Sequence, residues 1–186
     1  MFLTGKFESR QFNATRRIKF SKPFAKVPDV IIWITGLDIH RDGGQRLNAY
    51  HSDVTADGFI MHIDTWDSTK VNWASVSWLA FSPEESGCYR GWLSCNIQDR
   101  NGGGEIAKRV KEQTGTHSYP SGKFNKPPKL LVAFRHIDLN AYGHDNPRVV
   151  VETSGETKDG FNWKIKTWED SLLHYATVDV LAMPSN

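Results

Sequence analysis

Two arginines, two tryptophans and several carboxylates recur in matched order along this chain of 186 residues. Arg46 is followed by Thr65, Trp66 and Asp67, and Arg148 by Thr167, Trp168 and Glu169. Asp38 precedes the first group and Asp138 the second. A guanidinium presents several donors in a fixed fork. A carboxylate accepts charge-assisted hydrogen bonds, and an indole offers a flat apolar surface at little entropic cost. Such a set holds a polar ligand. Making or breaking bonds would need a positioned acid/base pair or an activated nucleophile. The recurring acids Asp38/Asp138 and Asp57/Asp159 fall in a loop and a turn, and no Ser/His/Asp order recurs. We therefore expect no enzyme. The seven histidines, His51, His62, His136 and His144 among them, lack ligand spacing. Two cysteines, Cys88 and Cys95, do not make a zinc site or a disulfide framework. No metal and no cofactor are expected. The cysteines either pair across a short loop or stay as thiols.

The elements that position these residues come in two copies. Phe24, Lys26, Pro28 and Asp38 recur 100 residues later as Phe124, Lys126, Pro128 and Asp138. From Arg46 the spacing becomes 102, carrying Thr55, Asp57, Gly58, Phe59, Ile63 and Trp66 onto Thr157, Asp159, Gly160, Phe161, Ile165 and Trp168. Ala74, Val76, Leu79 and Ala80 recur as Ala176, Val178, Leu181 and Ala182. The chain is thus two copies of one domain, placed at 1–84 and 88–186. The boundary falls in the polar stretch Ser82–Gly87.

Each copy reads as strands. VPDVIIWITGLDI and PPKLLVAFRHIDL are apolar runs rich in β-branched and aromatic residues. DGFIMHIDTW and DGFNWKIKTW alternate behind an Asp-Gly turn, and VNWASVSWLAF and LHYATVDVLAM close the copies. LTGKFES and RGWLSCNIQD open them. Short strands with regular turns predict an all-β chain of two tandem sandwiches. EIAKRVKEQ, residues 105–113, has helical periodicity and lies in an insertion at about 96–115 in copy two. It reads as a short helix or an ordered loop. Trp33, Trp78, Trp92 and Trp163 read first as core or interface.

Charge excludes further classes. Lys and Arg number 23 against 21 Asp and Glu, a net charge of +2, too balanced for binding driven by nucleic-acid phosphates. No apolar run reaches the roughly 20 residues that span a bilayer, and no secretory signal is read at MFLTGKFESRQF. The expected location is cytoplasmic, or outside the cell by a non-classical route.

The ordered residues Leu37-Asp38, Arg46, Gly58-Phe59, Thr65-Trp66-Asp67 and Ala74–Leu79 resemble the H-type lectin domain, the type found in snail agglutinin and in the C-terminal domain of discoidins. Ile137-Asp138, Arg148, Gly160-Phe161, Thr167-Trp168-Glu169 and Ala176–Leu181 repeat the pattern. The resemblance implies six-stranded antiparallel sandwiches that assemble as trimers. It implies metal-free binding of galactose and N-acetylgalactosamine in shallow sites at protomer interfaces. Carried over by position, the carbohydrate-binding residues are Arg46, Trp66, Asp67 and Asn72 in copy one and Arg148, Trp168, Glu169 and His174 in copy two. Asp38 and Asp138 join them as partners of the arginines.

Departures from the family pattern predict that the two sites differ. Asp67 and Glu169 stand where the snail lectin has His, and Asn72 and His174 where the family has Tyr. Trp73 and Tyr175 are expected on the opposite strand face, and Asn13 lies near the family's N-terminal acidic contact. Glycans and further copies of this chain, in a trimer, are the expected partners. The competing reading is a protein-interaction or structural sandwich that has lost sugar binding.

Overall fold

The computed structural model describes residues 1–96, 111–140, 146–169 and 171–185. Residues 105–110 of the expected helix or loop lie outside these. Among the described residues the chain forms twelve strands and one helical turn. Repeat one contains β1 (Phe2–Ser9), β2 (Ala14–Lys19), β3 (Asp29–Ile39), β4 (Gln45–Thr55), β5 (Gly58–Asp64) and β6 (Val71–Phe81). The turn α1 (Pro83–Ser86) follows, capped by Ser82 and closed by a left-handed Gly87. Repeat two contains β7 (Tyr89–Asn96), β8 (Glu112–Ser118), β9 (Lys129–Asn140), β10 (Val150–Ser154), β11 (Gly160–Lys166) and β12 (Leu172–Met183).

Each repeat is an antiparallel sandwich. In repeat one, β1-β6-β3 packs on β2-β5-β4. Alternation drives this: Leu47 and Ala49 of β4 and Phe59, Met61 and Ile63 of β5 point inward. They meet Val30, Ile32, Val76 and Trp78 from the facing sheet. In repeat two, β7-β12-β9 packs on β8-β11-β10 around Leu139, Phe161, Ile165, Leu173, Val178 and Val180.

The sandwiches are not separate bodies. β4 pairs with β9, matching Arg46 to Asp138 and Asn48 to His136, so three strands of each repeat fuse into one sheet, β2-β5-β4-β9-β12-β7. A third apolar cluster of Ile31, Phe81, Cys88 and Leu181 packs one repeat on the other. Sequence alone shows two copies joined by a polar link and gives no sign of the shared sheet.

Two strands are absent from the sequence reading. β2 (ATRRIK) and β8 (EQTGTHS) are edge strands, and their charged and polar residues suit an edge while masking the strand signal. β8 also corrects the helical expectation, since residues 112–113 are extended. The tryptophans divide: Trp78 is buried in the core, whereas Trp92 is 60% exposed, which leaves only the interface half of its core-or-interface reading. Cys88 and Cys95 are buried thiols, not a disulfide.

The Asp-Gly turns close in the same way in both repeats. Thr55 Oγ1 and Thr157 Oγ1 each donate to the carbonyl of the following strand's glycine, at 3.1 Å in both. A Cβ on Gly58 would stand 2.1 Å from the Ile18 carbonyl oxygen, and one on Gly160 2.2 Å from that of His117. Backbone cannot yield to such a clash. Gly58→Ala and Gly160→Ala are each expected to cost about 2 kcal/mol of stability. Urea unfolding followed by tryptophan fluorescence measures it, and an unchanged midpoint in both variants would contradict the turn geometry.

Candidate functional site

Arg46 lies on the outward face of β4, 12% exposed, between two carboxylates. Its Nε donates to Asp138 Oδ1 at 3.0 Å, across the repeat boundary. Its Nη1 stands 2.7 Å from Asp67 Oδ2, an ion pair out of line for a hydrogen bond. The guanidinium passes so close to the backbone that a Cβ on Gly44 would lie 1.9 Å from Nη1. A side chain there would displace the guanidinium from its two carboxylates. Asp67 adopts a left-handed conformation, φ 53°, at the head of its turn, and Glu169 has the same φ in repeat two. Held strain of this kind marks positions fixed by their surroundings.

His174 completes the junction. The β12–β9 register slips between Leu173 and Tyr175, leaving His174 as the bulged residue beside Asp138. Burial pushes the Asp138 carboxyl up, with Arg46 and His174 opposing. Burial pushes the His174 ring down, with Asp138 opposing. The β3–β6 register slips at the matching place, between Asp38 and Ile39, and makes Asn72 a bulge. Asn72 donates to Asp38 Oδ1 at 3.3 Å and faces His40 Nε2 at 3.2 Å.

The predicted residues therefore fall into three groups rather than one set per copy. Arg46 and Asp67 of repeat one meet Asp138 and His174 of repeat two. Arg148 pairs with Glu169, its Nη2 2.8 Å from Oε2, on the side of edge strand β10. Asp38 and Asn72 lie at edge strand β3. The expected pairing of each arginine with its own copy's Asp is corrected for Arg46, which takes the Asp of the other copy. Trp168 is 43% exposed beside Glu169.

Trp66 faces repeat two. Its ring meets His136 edge-on at 5.2 Å, and His136 packs on Tyr175 at 4.7 Å. Tyr175 pairs with Asp138 in register, so the bulge returns it to the face from which the sequence reading excluded it. Next to Arg46 on this face lies an open depression lined by Asn48, Tyr50, His62, Asp64, Trp66 and His136, with Asn13 at its rim. Tyr50 stacks on His62 at 4.3 Å and donates to Asp64 Oδ2 at 2.9 Å. Two buried polar atoms here, Asn48 Oδ1 and His136 Nε2, have no partner among the described residues. Burial pushes His136 down to about 4, so the ring is neutral at neutral pH. Sequence reasoning missed this depression, although alternation already puts Arg46, Asn48 and Tyr50 on one face.

Repeat two differs at the matching surface. Where repeat one has Tyr50 and Asp64, repeat two has Glu152 and Lys166, paired at 2.6 Å. Among the described residues no three His, Cys, Asp or Glu side chains converge as metal ligands, and no helix is long and apolar enough to cross a membrane.

The sequence profile of the H-type lectin domain matches residues 15–81 and 118–183. Among solved structures, recombinant discoidin II of Dictyostelium discoideum is 16% identical, with a TM-score of 0.42, over 87% of this chain and 74% of that one. Its wild-type form is 14% identical, with a TM-score of 0.42, over 95% and 83% respectively. No curated protein matches significantly.

Two measurements probe this geometry. Arg46 and Asp138 are both largely shielded, whereas Glu169 is 64% exposed. A double-mutant cycle on Arg46→Ala and Asp138→Ala should give a coupling of about 1–3 kcal/mol, and one on Arg148→Ala and Glu169→Ala less than about 1 kcal/mol. His51 and His136 are each held near 4 against an ordinary 6.5. The unfolded chain then takes up protons that the folded chain refuses, so stability is full above pH 6.5 and falls as pH drops toward 4. His136→Gln should lose less stability than wild type between pH 7 and 4.5 in urea titrations. Equal losses would contradict the neutral buried ring.

Proposed function

The chain belongs to the H-type lectin domain family, a family of carbohydrate-binding domains, and we propose that it is a multivalent, metal-independent lectin for glycans of galactose or N-acetylgalactosamine type. The observation that carries this reading is the open depression beside Arg46, where Trp66, Tyr50 and His62 stand with Asn48 and Asp64. A pyranose has hydroxyls on its rim and an apolar C–H face. Polar side chains at the surface of the depression suit the first, and an indole edge or face suits the second. Binding needs no bond chemistry, and the reading assigns none.

Further copies of the chain belong to the same reading. β10 and β3 are edges of the same types that join as β4 and β9 inside the chain. Arg148 and Glu169 stand on the β10 side, and Asp38 and Asn72 on the β3 side. Head-to-tail pairing of β10 in one chain with β3 in the next would repeat the Arg46–Asp138 junction as Arg148–Asp38. Such pairing is heterologous, and it makes a ring where the rotation between chains closes. With three chains, as the family implies, a ring would offer six sites, and linked weak sites gain roughly 10²–10⁴ in avidity.

Calorimetric titration with N-acetylgalactosamine, on wild type, Arg46→Ala and Arg148→Ala, tests the proposal. The expected outcome is binding by wild type and about half the stoichiometry in each variant. No binding of galactose or N-acetylgalactosamine by wild type would overturn the sugar assignment and favour a protein-interaction role. Light scattering should give a three-chain mass at micromolar concentration, and a monomer would overturn the ring.

A further inference from the structure

A second polar cluster lies where the two repeats pack, adjoining the candidate glycan site through Tyr50. A small cavity of about 120 Å³ is lined by Ile32, Tyr50 and His51 of repeat one and Arg90, Arg135 and Asp179 of repeat two. Asp179 is 3% exposed. It accepts from the Ile32 backbone N–H at 3.2 Å and from Arg135 Nε at 3.1 Å. The carboxylate hydrogen-bonds one guanidinium, Arg135, and also feels the charge of Arg90.

The second guanidinium has no such partner. Arg90 Nη2 meets His51 Nε2 at 3.2 Å. His51 is also hydrogen-bonded to the Val30 backbone and held near 4 by burial, so Nε2 accepts from Arg90 as a neutral ring. Arg90 Nε is buried with no acceptor among the described residues, and no carboxylate there lies within ion-pair distance of it. A shielded guanidinium left with a neutral acceptor and an orphaned N–H is costly. Two guanidiniums therefore face one carboxylate around a cavity holding roughly four waters' share of volume. That space suits a small oxyanion and is too small for a sugar ring.

The cluster belongs to this junction and not to the fold. The positions of repeat one that match Arg90, Arg135 and Asp179 are Thr4, Thr35 and Ser77, all hydroxyls. Charge appears at these positions only in repeat two, although the outer strand faces of both repeats pack on each other through Ile31, Phe81 and Leu181. Arg135 sits at a register slip of β9 against β12, which turns it out of the ladder beside Asp179.

We propose that the Arg90–Arg135 cavity binds a small oxyanion, a carboxylate or phosphate, that clamps the two repeats together. An anion bound there accepts from the Arg90 and Arg135 guanidiniums that line the cavity and balances the excess positive charge. Because the cavity walls come from both repeats, binding stabilises the packed arrangement over any opened one.

The experiment is thermal unfolding and isothermal titration of the full chain with inorganic phosphate and with acetate, against chloride at matched ionic strength. Wild type should show a saturable rise in Tm, about 5–10 °C at a hundredfold excess over the dissociation constant, and heat of binding at one site per chain. Arg90→Gln should lose both, while Lys158→Ala, a substitution at an exposed lysine outside the cavity, keeps both. Phosphate or acetate alone giving the rise identifies which oxyanion the cavity takes. An equal response of wild type to all three salts would overturn the proposal, and so would a full response retained in Arg90→Gln. If Arg90→Gln does not fold, titration of wild type still decides it, with Arg135→Lys expected to weaken binding several-fold.

Discussion

An exposed strand edge must be paired, covered or blunted, and that constraint organises this molecule. β4 is the edge of the first sandwich, and β9 is the edge of the second. Joining them pairs Gln45–Asn48 with His136–Leu139 and fuses half of each sandwich into a six-stranded sheet. The Arg46–Asp138 bond spans that seam at its first register pairs, and the Asn48–His136 pair follows it. Everything that distinguishes the outer face of the sheet depends on the seam: the bulge beside Asp138, the aromatic row from Trp66 to Tyr175, and the unpartnered polar atoms between them.

The repeated sequence showed both sandwiches because alternation and Asp-Gly turns are local signals. Phe59 and Phe161, or Val76 and Val178, occupy matched core positions that period-two reading finds directly. Edge strands β2 and β8 were hidden because the charges suited to an edge remove the alternation. The site was legible as residue types but not as an assembly. Arg46, Asp67, Asp138 and His174 all stand among the expected residues, yet nothing local tells Arg46 that its partner is 92 positions away in the other repeat. The bulges at Asn72 and His174 were equally hidden, since a register slip depends on the neighbouring strand.

Duplication supplied two equal copies, and the surfaces show where equality was given up. Core positions and turns kept their residues. The outer faces diverged, with an aromatic and imidazole surface in one repeat and Lys–Glu pairs in the other. The faces turned toward each other diverged as well, hydroxyls in one copy against charges in the other. The left-handed Asp67 and Glu169 stayed alike in backbone while differing in side chain, so the turn is retained and its chemical reach is adjusted.

The two thiols occupy different parts of this arrangement. Cys88 lies in the cluster between the repeats, and Cys95 in the core of the second sandwich. Seven residues apart in sequence, they are shielded by different events. Separation of the repeats uncovers Cys88 and leaves Cys95 protected, whereas melting of the second sandwich uncovers Cys95. The chain thus carries two built-in kinetic reporters, and the order in which they become reactive toward a thiol reagent distinguishes undocking from unfolding.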